Sequence, residues 1–150
     1  MLIRHAEPSD HARVVGVVDD WWGGRAMAAM LPKLFFVHFR ETSFVADDDD
    51  GALAGFLCGL RSQTFPDEAY VHFVGVAPGQ RGRGLARRLY ERLFDAVAPR
   101  TTVRAVTSPA NERSLAFHAA LGFDTSRVEE DYDGRGESRV LLVRRIERPR

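Results

Sequence analysis

The sequence holds a single cysteine, Cys58, so neither a disulfide framework nor a cysteine-based zinc cluster can form within the chain. Cys58 lies in an apolar run, as a small core residue does. Net charge is missing as well. The 21 Lys and Arg balance the 21 Asp and Glu, which removes the general electrostatic case for a nucleic-acid partner. No apolar run reaches the roughly 20 residues needed to cross a bilayer, and the N-terminus lacks a signal-peptide core. The chain therefore reads as soluble and cytoplasmic, with no membrane partner. Repeats, linkers and low-complexity tracts are also lacking. What remains is one domain, residues 1–150, whose 45% hydrophobic content is enough to bury a core and to exclude disorder.

Periodicity and turn residues divide the chain. Leu2 to Arg4 reads as a strand. Pro8, Ser9 and Asp10 start a helix whose apolar face is Val14, Val15, Val17 and Val18. Asp19 to Gly24 ends it, and the Trp21-Trp22-Gly23-Gly24 run predicts a loop able to open. Ala26 to Phe39 reads as a second helical region with a break near Pro32. Ser43 to Ala46 and Ala52 to Ser62 are strands around an Asp-Gly turn. Four consecutive aspartates there make a solvated turn, not a metal site. Gln63 to Ala69 is a loop, Tyr70 to Val76 a strand, Arg83 to Ala98 a helix and Thr102 to Thr107 a strand. Asn111 caps a helix that runs to Leu121 and stops at Gly122. Two strands follow, over 123–132 and 138–145. The strand–helix–strand unit over 70–107 should be parallel, with a ligand at the C-terminal ends of its strands.

The stretch that organises the chain runs from Val74 to Ala86. A strand stops at Pro78-Gly79, a turn rich in Gly and Arg follows, and a helix begins with Leu85, Leu89, Leu93 and Val97 at steps of four. Arg87, Arg88, Glu91, Arg92 and Asp95 lie off that stripe and should face solvent. Unpaired N–H groups and the dipole at a helix start favour an anion. Glycines at 82 and 84 let a ligand approach, and Arg81 and Arg83 add charge. Two familiar phosphate loops do not fit. No Lys-Ser or Lys-Thr pair follows the glycines, and position 87, where a dinucleotide loop has its third glycine, holds Arg87.

Arg81-Gly82-Arg83-Gly84-Leu85-Ala86 does resemble the Arg/Gln-x-x-Gly-x-Gly/Ala pyrophosphate loop of the GNAT superfamily of acyl-CoA-dependent N-acyltransferases. A second resemblance lies in Asn111 to Phe123, where Asn111, Ser114, Phe117, Gly122 and Phe123 match Asn-x-x-Ser/Ala-x-x-Phe-Tyr-x-x-x-Gly-Phe. His118 stands where that pattern has tyrosine. The element order agrees with the family along essentially the whole chain. The resemblance implies an α/β (α+β) fold: a mixed, mostly antiparallel, seven-stranded sheet with a central parallel pair and about four helices on its faces.

It also implies a co-substrate, acetyl-CoA, and no metal. The backbone of Arg81, Gly82, Arg83, Gly84, Leu85 and Ala86 would cradle the pyrophosphate. Val74, Gly75 and Val76 would meet the pantetheine arm at a bulge, with the Val76 N–H polarising the thioester carbonyl. Asn111, Ser114 and His118 share a helical face that could line the cofactor, while Phe117 and Leu121 pack inward; Phe117 is counted with the cofactor residues as part of the matched motif. The acceptor is a small-molecule or peptide amine. An ammonium of pKa ~10 must lose a proton before it attacks, and His72 is the candidate base because an ordinary imidazole titrates near 6.5. Glu68 and Tyr70 are its rivals. His118 is the candidate donor to the leaving thiolate. Trp21, Trp22, Glu68, Tyr70 and Tyr132 are candidate acceptor-binding residues, and acidic residues Asp19, Asp20, Asp67 and Asp133 could attract a cationic amine. Direct transfer by an enzyme competes with a non-catalytic acyl-CoA sensor on the same fold and with a nucleotide-binding regulator. A homodimer is compatible with all three readings.

Overall fold

The computed structural model describes residues 1–148. Its strands are β1 (Leu2–His5), β2 (Ser43–Asp47), β3 (Leu53–Arg61), β4 (Glu68–Val76), β5 (Thr102–Thr107), β6 (Asp124–Glu129) and β7 (Arg139–Arg145). They form one seven-stranded sheet in the order β1-β2-β3-β4-β5-β7-β6. β1 with β2, β2 with β3, β5 with β7 and β6 with β7 are antiparallel. β4 and β5 are parallel, in register from Glu68↔Thr102 to Val71↔Ala105. This is the mixed sheet with a parallel pair that the resemblance implied.

The chain condenses as two compact units, which β4 enters in turn. The first is Met1–Leu60 with His72–Val97; the second is Arg61–Val71 with the chain from Ala98 onward. In the first unit the helices are α1 (Asp10–Val15), α2 (Val18–Trp21), α3 (Leu34–Val37) and α4 (Leu85–Ala96). Val14, Val18, Leu31, Phe35, Phe36, Val45, Phe56 and Cys58 form its buried cluster. α4 contributes Leu85, Leu89, Tyr90, Leu93 and Phe94, all buried. The first helix of the sequence reading is interrupted. Gly16 closes α1, and the chain resumes as α2, so Trp21 is helical rather than in a loop. The region from Ala26 to Phe39 is not continuous either. It consists of a 3-10 turn over Ala28–Met30 and the short α3. One solvent assignment also changes: Arg92 is half-buried, donates Nη1 to the Ile3 carbonyl at 2.8 Å and lies 5.1 Å from the Phe44 ring centre.

The second unit is built on β5, whose Val103, Ala105 and Thr107 are buried in strict alternation. α5 (Glu112–Ala120) and the buried Leu121, Phe123, Val140 and Leu142 complete it. The N-cap of α5 is as read from sequence: Asn111 Oδ1 accepts the Ser114 N–H at 3.1 Å.

Candidate active site

In the first unit the loop after β4 is shaped for an anion. A 3-10 turn, Pro78–Gln80, ends the strand's course. Gly82 and Gly84 then take φ of +79° and +78°, a left-handed backbone that side chains with Cβ disfavour. A Cβ at either position would meet nothing within 4 Å, so backbone conformation rather than crowding calls for glycine there, and the space before them is open. Gly84 is the N-cap of α4 and no side chain caps that end. The start of this 12-residue helix, at Leu85 and Ala86, therefore has backbone N–H groups that no capping side chain serves. Arg81 and Arg83 are exposed beside them. Gln80 Oε1 is buried without a hydrogen-bond partner, an unusual state for an amide oxygen. The open glycine cradle and the uncapped helix start fit a pyrophosphate.

β4 carries Tyr70, His72, Val74 and Val76, and its alternation of buried and half-buried residues lapses over 72–74. His72 is the best-defined side chain among them. Its Nε2 lies 2.7 Å from the Met30 carbonyl oxygen. A carbonyl only accepts, so Nε2 carries the proton and Nδ1 has the lone pair of the neutral ring. The imidazole stacks on Phe35 at 5.0 Å and 9° and on Phe73 at 4.6 Å and 25°. Trp22 packs next to this stack, 6.0 Å from Phe73 and 6.3 Å from Phe56, and Trp21 lies 6.1 Å from Phe56. The Trp22 indole is therefore half-buried packing in the first unit. Asp19 is engaged locally, its Oδ1 accepting the N–H groups of Met27 and Ala28, both at 2.8 Å. Burial pushes the Cys58 thiol far up, so it offers no thiolate.

The second unit holds the other predicted residues. Glu68 Oε1 accepts from Arg104 Nε at 2.6 Å at the first residue pair of the parallel ladder, so this rival base is ion-paired. Tyr70 is pushed up to about 12, first by burial and then by the neighbouring Tyr132 and Asp133. A phenol held so firmly protonated is a donor, not a base. Asp133 and Glu137 both engage Arg139. In α5 the inward face differs from the one read in the sequence: His118 is buried with Leu121, while Phe117 is only half-buried. His118 Nδ1 is 2.8 Å from the Ser114 carbonyl oxygen and 3.2 Å from Ser114 Oγ. Nδ1 thus donates within its own helix, and burial lowers the pKa of the ring. The neutral ring then has no proton on Nε2 to give. Phe117 and Phe123 pack edge-on against it, each with ring centres 5.1 Å away.

Neither the Met30 carbonyl nor Phe35 could be placed at His72 from sequence, since both lie in a segment whose helical period does not persist. Phe73 was visible only as a strand neighbour. The use of the Arg81 side chain was equally hidden: its Nη2 donates to the Trp21 carbonyl at 2.6 Å.

The Acetyltransferase (GNAT) family matches residues 9–123 of the chain. The L-2,4-diaminobutyric acid acetyltransferase of Nocardia farcinica is 39% identical over 85 residues, covering 55% of this chain and 44% of that protein. The chain spans about half the length of the diaminobutyric acid acetyltransferases it matches. The 5-NmdU N-acetyltransferase of Pseudomonas phage PaMx11 is 32% identical over 123 residues, covering 82% of this chain and 86% of that one. Two solved structures share the fold. Naa20 of Chaetomium thermophilum, in complex with a bisubstrate analogue, superposes with a TM-score of 0.78 at 21% identity, covering 97% of this chain and 87% of that one. The diaminobutyrate acetyltransferase of Paenibacillus lautus, in complex with L-2,4-diaminobutyric acid and coenzyme A, has a TM-score of 0.75 at 20% identity and covers 99% of this chain and 97% of that one.

Proposed function

Because the chain belongs to the acetyltransferase (GNAT) family, we propose that it transfers an acetyl group from acetyl-CoA to a primary amine by direct attack. The observation that carries this reading is the Gly82–Gly84 cradle at the uncapped start of α4, directly downstream of the strand bearing His72. Acetyl-CoA supplies an activated acyl group as a thioester. Backbone N–H groups from Arg81 to Ala86 hold its pyrophosphate. Val74, Gly75 and Val76 flank its arm, and the Val76 N–H donates to the thioester carbonyl oxygen. In the second unit the reading assigns Asn111, Ser114 and Phe117 to the cofactor.

His72 accepts the ammonium proton at Nδ1, since Nε2 is committed to the Met30 carbonyl. His118 is a weaker candidate for the thiolate's proton than its place in the motif, where tyrosine stands, implies. Its one proton is turned to Ser114, and burial opposes a second. The buried Cys58 thiol supports transfer without an acyl-enzyme. For the acceptor, the diaminobutyric acid acetyltransferases among the relatives make L-2,4-diaminobutyrate the first amine to test, beside peptide N-termini.

The test is release of free CoA thiol across a panel of amines, amino acids and peptide N-termini that includes L-2,4-diaminobutyrate. We expect turnover with a small amine, and a loss of about 10²–10⁴-fold in kcat for His72→Ala with acetyl-CoA binding retained by calorimetry. Acetyl-CoA binding without turnover on any acceptor would replace the enzyme reading with that of a sensor.

A further inference from the structure

Arg81 opens the anion loop, yet its guanidinium reaches back to another segment. Nη2 donates to the carbonyl oxygen of Trp21 at 2.6 Å. Trp21 is the last residue of α2, where carbonyls have no helical partner and a cationic donor is favoured. The chain beyond it is tightly wound: Gly23 and Gly24 have φ of +69° and +86°, and their N–H groups bond Asp20 O at 3.1 Å and Asp19 O at 2.8 Å. Between the bonded carbonyl and these glycines stands Trp22. Its indole lies over Gly75 so closely that a methyl group there would be 2.7 Å from the ring. The same indole packs on Phe73, and Phe73 stacks on His72. A series of direct contacts within the first unit therefore joins the first loop residue to the proposed base.

We infer that Arg81 is a positioning residue that, through Trp21, holds the Trp22 indole over Gly75 and against Phe73, and so sets the stack that orients His72. The inference rests on the reading of the loop as the acetyl-CoA site and of His72 as the base. A guanidinium has several donors in a fixed fork, so Arg81 can serve the Trp21 carbonyl and a phosphate oxygen together. Occupancy of the loop then stiffens the Trp22 segment rather than competing with it. By linkage, acetyl-CoA and the amine each raise the affinity for the other.

The chain has two tryptophans, both in this segment, so intrinsic fluorescence reports it directly. In Arg81→Met we expect acrylamide to quench the tryptophans about twofold more efficiently than in the wild type, while Arg81→Lys, which keeps a cationic donor, stays near the wild type. In kinetics, Arg81→Met should lose about tenfold in kcat/KM for the amine at saturating acetyl-CoA, the scale of one charged hydrogen bond. Most of that loss should vanish in a Trp22→Phe background, where the link is already cut. Wild-type quenching in Arg81→Met, or a defect confined to the KM for acetyl-CoA, overturns the inference. If Arg81→Met does not fold, Arg81→Gln carries the same comparison. The quenching arm needs no turnover, so it decides the role of Arg81 even where the amine screen finds no acceptor.

Discussion

At position 75 a side chain has nowhere to go. A Cβ there would lie 2.6 Å from Phe56 and 2.7 Å from Trp22, both ring atoms wedged among aromatic neighbours. The sequence made Gly75 a candidate bulge. Close packing of two rings on the strand is a separate and sufficient reason for glycine. Gly75→Ala must therefore displace Trp22 or Phe56, at a cost of about 1–3 kcal/mol, read as a lower urea midpoint at unchanged slope. An unchanged midpoint would mean that the rings move freely. Residue chemistry was only partly legible. The position of His72 on a strand near the loop could be read from sequence, but the assignment of its two nitrogens depends on a carbonyl 42 residues away in sequence. The tyrosine-like role offered to His118 came from its place in the motif, whereas burial and the contact of Nδ1 with the Ser114 carbonyl depend on the fold.

Among the elements, those set by strong local signals were read to within a residue or two. β5 spans Thr102–Thr107 as its alternation foretold, and α5 starts from the Asn111 cap. Residues 10–37 were not legible in that way. Short helices of four to six residues have little intrinsic stability. They persist because Val14, Val18, Phe35 and Phe36 are buried together, and that tertiary gain has no local period. The loop before α4 permits a matched pair of substitutions. Gly84 and Gly51 have φ of +78° and +80°, and a Cβ at either meets nothing within 4 Å. Alanine at each should cost a similar ~1 kcal/mol of stability through left-handed strain. Gly84→Ala should in addition weaken acetyl-CoA binding about tenfold by calorimetry, because the cradle is made of backbone N–H groups. Equal affinities in the two variants would remove the loop from the cofactor site.

The whole molecule is expected to respond to acid in two separate ranges, because each unit holds one buried group, among those described, whose pKa is lowered and which titrates on the acid side. In the second unit His118 is lowered by burial. Below the ordinary imidazole value near 6.5 the unfolded chain takes a proton that the folded chain resists, so stability falls as pH drops from there. In the first unit burial alone would raise the pKa of Asp10. Hydrogen bonds from Arg4 at 2.8 and 2.9 Å, the Glu7 N–H at 2.8 Å and Arg13 at 3.0 Å outweigh it and hold the carboxyl at about 2. Its contribution is complete above the unfolded value of about 4 and is lost as pH falls toward 2. Thermal midpoints by circular dichroism from pH 7.5 to 3 should show both ranges. His118→Leu should flatten the decline between pH 7 and 5 and keep the one below pH 4. Asp10→Asn should lower the midpoint throughout, because about 2 kcal/mol of stability from charged hydrogen bonds is lost, and remove most of the decline below pH 4. Should His118→Leu retain the wild-type slope above pH 5, the buried imidazole is not what destabilises the chain in that range, and burial would no longer argue against its taking up a second proton.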